Sequence, residues 1–231
     1  MDNLCSVITA DVINSKKSNK DILKYWESKN IYYNEDDTLN TFLTEQAQKM
    51  TMNLQSKNII STDVSISRGD EIQVFCSDVT NIVEVTRKMR DYFRPLNIRI
   101  GIGIGGIDTD INENSWDMNG EVFFKAREAL DKVKIQEKKR MTYICSPNKQ
   151  FDLIANSIYM LMDSIISEWS DAKWESIKAY EMYESFEKAG NYLGKSRQAI
   201  SNNCKTAHYE KIKQAEKDLK EIIELYLVNK E

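Results

Sequence analysis

VSISRGDEIQVFC, residues 64–76, places two β-prone runs on either side of Arg68-Gly69-Asp70-Glu71. Val64 to Ser67 and Ile72 to Cys76 read as strands. Glycine followed by aspartate between them marks a tight hairpin, because glycine takes the positive φ that such turns require. Upstream, Leu4 to Ala10 is a short run rich in β-branched residues that ends at Asp11. A polar insertion with Trp26, Tyr32 and Tyr33 follows. From about Thr38 to Leu54, Leu39, Phe42, Leu43, Ala47 and Met50 recur at helical spacing. Downstream, a helix is expected from about Asp78 to Tyr92, stopping before Pro95. Ile98 to Ile104 then alternates isoleucine with arginine or glycine. A helix from about Gly120 to Val133 and a strand from about Met141 to Cys145 complete this part.

The order β-α-β-β-α-β-α-β predicts an antiparallel sheet with helices packed on one face, the ferredoxin-like or palm arrangement. After Pro147 the pattern is helical almost throughout. Leu153, Ile154, Ile158, Leu161, Met162, Ile165 and Trp169 mark a long amphipathic helix, and three or four more follow up to Asn229. The expected class is therefore α+β. Its predicted spans are an α/β domain over 1–147, a connecting helix over 148–168 and an all-α domain over 169–231.

Composition narrows the function. The chain has 231 residues, 41% hydrophobic and 29% charged, with two prolines and eight glycines, which excludes collagen-like and linker-dominated architectures. A formal charge of −4 argues against a wholly basic nucleic-acid coat protein but leaves room for a local basic patch. The start, MDNLCSVITADVINSKK, lacks the basic opening and apolar core of a signal peptide. The richest apolar stretch, Leu153 to Trp169, is broken by Asn156, Asp163 and Glu168, so no membrane span is expected. Cys5, Cys76, Cys145 and Cys204 are scattered singly and read as reduced, small hydrophobic residues; His208 is the only histidine. A cytoplasmic protein is expected.

Asp11 falls where the first strand ends, and Asp70 and Glu71 fall in the hairpin that should lie beside it. Converging carboxylates suit a hard cation such as Mg²⁺, which gathers phosphates in phosphoryl transfer. The alternative is ordinary loop and turn chemistry at Asp11 and Asp70. Gly101, Gly103 and Gly105 leave one strand face bare, either for a ligand or for a closely packed helix.

ITADV (8–12) and RGDEIQVF (68–75) resemble the paired metal-binding segments of class III nucleotide cyclases and GGDEF-type domains. RIGIGIGGI (99–107) followed by NGEVFFKAREAL (119–130) is similar to the later strand and helix of the cyclase pattern. With its helical C-terminus, nearly the whole chain resembles the SatD family of small bacterial proteins. The resemblance implies Asp11 and Asp70 as metal carboxylates, with Glu71 similar to the acid that follows in the GGDEF signature. It also implies losses. The asparagine position of the cyclase helix falls on Phe124, the arginine position on Glu128 with Arg127 one residue away, and the base-reading lysine position on Ile66. Arg68 replaces the first glycine of the GGDEF signature. Those groups position and neutralise the transferring phosphate, so a retained sheet with nucleotide or metal binding is expected rather than turnover.

SFEKAGNYLGKSRQAISNNCKTAHY, residues 185–209, reads as a helix-turn-helix. Gly190 is the small residue where helices cross, Leu193 faces the core, Gly194 makes the turn and Ser196 caps a second helix. Ala199 and Ile200 then face inward. Ser196, Arg197, Gln198, Ser201, Asn202 and Lys205 are the expected DNA-contacting residues, because arginine, glutamine and asparagine can bond base edges and a capped helix start points donors at phosphate. GKSRQAIS is similar to the turn and recognition-helix start of many bacterial helix-turn-helix proteins, and WSDAKWESIKAYEMY to their preceding support helix. Residues 150–231 carry eleven basic and fourteen acidic residues, whereas 194–213 carry Lys195, Arg197, Lys205, Lys211 and Lys213 against Glu210 alone. The closing stretch, 208–228, serves equally as a dimer helix or as a support for its own domain.

The expected function is DNA-binding regulation, with a degenerate cyclase-like domain that holds nucleotide or metal or mediates homodimerisation. Two alternatives stand beside it. One is a metal-dependent nucleotidyl-transfer or phosphodiester enzyme at Asp11 and Asp70. The other is a protein-interaction adaptor with neither activity.

Overall fold

A computed structural model describes residues 4–29, 31, 39–67, 69–136 and 140–228. Tyr32, Tyr33 and Thr38 of the expected insertion and helix start, and Arg68 of the hairpin, lie outside these residues. The β-branched run at the start forms β1 (Cys5–Val12), all eight residues of which are buried because it is the central strand. The hairpin supplies β2 (Ser65–Ile66) and β3 (Glu71–Cys76), closed by the Ser67 N–H donating to the Glu71 carbonyl at 2.9 Å, with Gly69 at φ +112°. The isoleucine–glycine alternation is β4 (Ile98–Gly105), and β5 (Thr142–Cys145) follows.

The sheet runs β2-β3-β1-β4-β5. β2 with β3, β3 with β1 and β1 with β4 are antiparallel, whereas β5 lies parallel to β4. The expectation of a purely antiparallel sheet is therefore corrected to a mixed one. The helix joining β4 to β5 crosses over and returns the chain to the same end, as parallel neighbours require.

The period of two sorts the sheet's faces. Ile8, Ala10, Ile72, Val74 and the four isoleucines of β4 point to one side. There they meet α1 (Ser18–Ser28), α2 (Leu39–Gln55) and α3 (Ile82–Tyr92). The opposite face carries Val7, Phe75 and the bare glycines, and is covered by α4 (Glu121–Ile135) through Val122 and Ala126. Helices thus lie on both faces rather than one. A Cβ at Gly101 would stand 2.3 Å from the Leu130 nitrogen, so the glycine stripe serves close helix packing.

The C-terminal helices are α5 (Lys149–Ile166), α6 (Asp171–Tyr183), α7 (Phe186–Leu193), α8 (Arg197–Thr206) and α9 (Tyr209–Ile223), ending in a π-helical turn, Glu224–Val228. They enclose a second core around Trp169, Trp174, Ile177, Ile200 and Tyr209. α5 and α9 enter both cores. Phe151, Ala155 and Tyr159 pack under the sheet while Met162 and Ile166 join the second core; Ile212 lies in the second core while Leu219, Ile223 and Leu227 pack under the sheet.

Candidate functional site

The antiparallel register pairs Asp11 with Glu71 on one side and with Arg99 on the other. Two of the three sequence-predicted metal carboxylates thus meet at one end of the sheet. Asp70 stays on the hairpin loop, and no group of three or more His, Cys, Asp or Glu able to hold a metal exists among the described residues. The two carboxylates are already answered by cations. Lys134 Nζ lies 3.0 Å and Arg99 Nη1 3.5 Å from Asp11 Oδ2. Arg127 donates twice to Glu71, with Nη2 at 3.0 Å from Oε2. Those bonds, and Arg127's charge, hold the Glu71 carboxyl below its ordinary range against the opposing effect of burial. Asp11 Oδ1 is buried without a hydrogen-bond partner among the described residues. As folded, Asp11 and Glu71 are engaged by Lys134, Arg99 and Arg127 rather than gathered with Asp70.

The second candidate site is built by α7 and α8. The Ser185 hydroxyl accepts from the Lys188 N–H at 3.3 Å to start α7. Gly194, at φ +63°, ends it, a conformation natural to glycine at a helix C-terminus. The next residue folds back, its N–H donating to the Gly190 carbonyl at 2.8 Å. A Cβ at Gly190 would stand 2.6 Å from the Lys195 carbonyl oxygen, so only glycine lets the turn come this near. The Ser196 hydroxyl then accepts from the Ala199 N–H at 3.1 Å and caps α8.

Inward, Ile200 and Cys204 are buried, and Asn203 donates to the Ser176 hydroxyl at 2.9 Å, fixing α8 against α6. Outward, Ser196, Arg197, Gln198, Asn202 and Lys205 are exposed and Ser201 is half-buried. Gln198 donates to the Asn202 side chain at 2.9 Å, which aligns two amides along the outer face. The basic patch is smaller than the sequence count: Lys195 pairs with Glu175 at 3.2 Å and Lys213 with Glu216 at 3.3 Å. Arg197, Lys205 and Lys211 remain exposed and without ion pairs among the described residues. His208 is exposed in a left-handed conformation at the start of α9, and all four cysteines are free and buried.

Three polar residues of α5 have a definite task; two of them, Asn156 and Asp163, read in the sequence only as breaks in an apolar run, and Asp152 is not singled out there. Asn156 accepts from the Ile144 N–H at 2.8 Å and donates to the Ile144 carbonyl at 2.9 Å. Asp152 accepts from the Ser146 N–H at 2.8 Å, and Asp163 from the Met141 N–H at 3.0 Å. Side chains of one helix thereby replace the strand missing from the outer edge of β5. Their recurrence on a single helical face was the available signal.

Among the described residues no helix is long and apolar enough to cross a membrane. No curated protein matches the chain. The SatD family model matches residues 7–230, nearly the whole sequence, and the chain belongs to the SatD family.

Proposed function

We propose that the protein is a DNA-binding regulator whose α7–α8 unit is a helix-turn-helix, with α8 as its reading helix. The observation that carries this is the outer face of α8. A helix start capped by Ser196 and pressed onto a glycine turn presents Arg197, Gln198, Asn202 and Lys205 to solvent, while its inner face is spent on the core. Arginine and the two amides have the donor and acceptor geometry for base edges, and the capped N-terminus suits a phosphate.

The sheet supports a second element of the proposal, a palm-like module retained without turnover. Its strands β2-β3-β1-β4 alternate in direction as that arrangement does. Phe124, at the asparagine position of the cyclase pattern, is exposed; Glu128, at the arginine position, pairs with Lys132; Arg127 is spent on Glu71. Phosphoryl-transfer catalysis rests on such groups facing the phosphate.

The test is titration of the purified protein into labelled mixed-sequence duplexes at low and moderate salt. Arg197→Ala is expected to weaken binding roughly tenfold to a hundredfold, the worth of one good base or phosphate contact. Asp11→Asn should leave affinity unchanged. Absence of binding at low salt would refute the regulator.

A further inference from the structure

α1 carries a row of lysines that neither the fold nor the α8 surface uses. Its apolar side is committed to the main core: Ile22 is 2% exposed and Trp26 3%. Lys20 and Lys24 lie opposite that side, four residues apart, and Lys16 and Lys17 extend the row through the short 3₁₀ turn before the helix. All four are exposed, and none has an ion-pair partner among the described residues. Two acids share the helix: Asp21 is bonded to none of them, and Glu27 lies exposed three residues after Lys24 on the same side. Like charges at this spacing lower helix stability in isolation, so nothing in the folding of α1 favours the row.

The end of α1 is held near α8 through one shared carboxylate, by Lys29, which falls on the Ile22 side of the helix rather than in the row. Lys29, just past the end of α1, pairs with Glu175 Oε1, and Lys195 Nζ, in the turn that opens α8, lies 3.2 Å from Glu175 Oε2. The end of α1 and the start of α8 are therefore fastened to the same residue of α6. From Lys29 the helix rises about 1.5 Å per residue, which places Lys24 and Lys20 at about 7.5 and 13.5 Å along its axis.

We infer that the lysine row of α1 is a second phosphate-contacting surface, holding DNA backbone beside the stretch that α8 reads; the inference rests on the DNA-binding reading above. Electrostatic contacts of this kind raise affinity on every sequence and add to its salt dependence, whereas base contacts add preference. An acidic membrane surface fits less well. Membrane-surface helices bury an apolar face in lipid, and that face of α1 is already inside the protein.

The experiment measures affinity of the full chain for mixed-sequence duplexes across a salt series. Lys20→Gln/Lys24→Gln is expected to flatten the slope of log affinity against log salt by about 2, and adding Lys16→Gln and Lys17→Gln by about 4 in total. The weakening should be the same on every duplex, with an unchanged melting temperature, because all four side chains are exposed. Arg197→Ala, run beside them, reports on α8 alone. If the wild type binds in an Arg197-dependent way and the fourfold variant keeps the wild-type slope, the lysine row is overturned and the regulator stands. If the wild type does not bind DNA even at low salt, both fall. Phosphatidylserine vesicles are the remaining arm: vesicle binding lost in the fourfold variant while its DNA binding is unaltered would overturn the inference in favour of a lipid surface.

Discussion

At Gly103 an added Cβ would lie 2.1 Å from the Val122 carbonyl oxygen and 2.3 Å from the Ala126 nitrogen, both backbone atoms of α4 that cannot swing aside. At Gly106, three residues on, it would meet nothing within 4 Å. The two positions therefore make a matched pair. Gly103→Ala forces the helix off the sheet and should cost about 3 kcal/mol, at the upper end of ordinary overpacking. Gly106→Ala should leave stability within about 0.5 kcal/mol, the range of surface substitutions. Urea unfolding of both variants checks this; equal stabilities would mean that α4 does not rest on the glycine stripe. The same stripe was legible in the sequence as a bare face, but alternation alone does not say whether a ligand or a helix fills it. The answer depends on where α4 returns, which is a property of the crossover.

Elements were legible where a single period dominates and obscure where polar residues do the packing. The hairpin, the isoleucine–glycine strand and α7–α8 were readable because alternation, positive-φ glycines and a capping serine are local signals. α1 was read as part of a polar insertion, since only Ser18, Ile22 and Trp26 of its eleven residues are buried. Two large apolar residues make a weak stripe. Convergence was expected of Asp11 with Asp70 and Glu71; the register brings Glu71 alone opposite Asp11, and the cations that answer this pair come from β4 and α4, distant in sequence. Asn156 is the sharpest case at this scale, because its partner is a strand edge that exists only after folding. Asn156→Leu keeps the volume but strips the Ile144 N–H and carbonyl of their partners at a buried edge. It is expected to cost about 2–4 kcal/mol, one desolvation penalty for each group. It should also promote association through β5, since an unsatisfied edge recruits another strand. Thermal melting with light scattering measures both effects, and an unperturbed melt would show that α5 is not the edge cover.

Across the whole molecule, the two cores are joined by charge as well as by α5 and α9. Arg87 of α3, only 6% exposed, lies 2.7 Å from Glu181 of α6 and 2.5 Å from Glu216 of α9. Lys88 and the Tyr209 hydroxyl also reach Glu181, at 3.4 and 3.0 Å. Burial by itself pushes the Glu181 carboxyl up, but Arg87 and Lys88 outweigh it and hold the group below its ordinary range. A carboxyl depressed in the folded state stabilises it fully above the unfolded value, about 4.3, and that contribution is lost as pH falls through the depressed folded value. Glu181→Gln removes the charge that makes this difference. The variant should therefore be less stable than the wild type at pH 7, with the gap closing as pH falls below about 4. Denaturation midpoints over a pH series measure the gap; one that stays constant into acid would mean that Arg87 does not bind the ionised carboxylate. The tryptophans report which part responds, because Trp26 sits in the core under the sheet whereas Trp169 and Trp174 sit in the second. Since α5 and α9 belong to both cores, weakening Glu181 should shift the unfolding of both together. Separate transitions, with only the second core responding, would mean that the shared helices do not couple the sheet to the unit carrying α8.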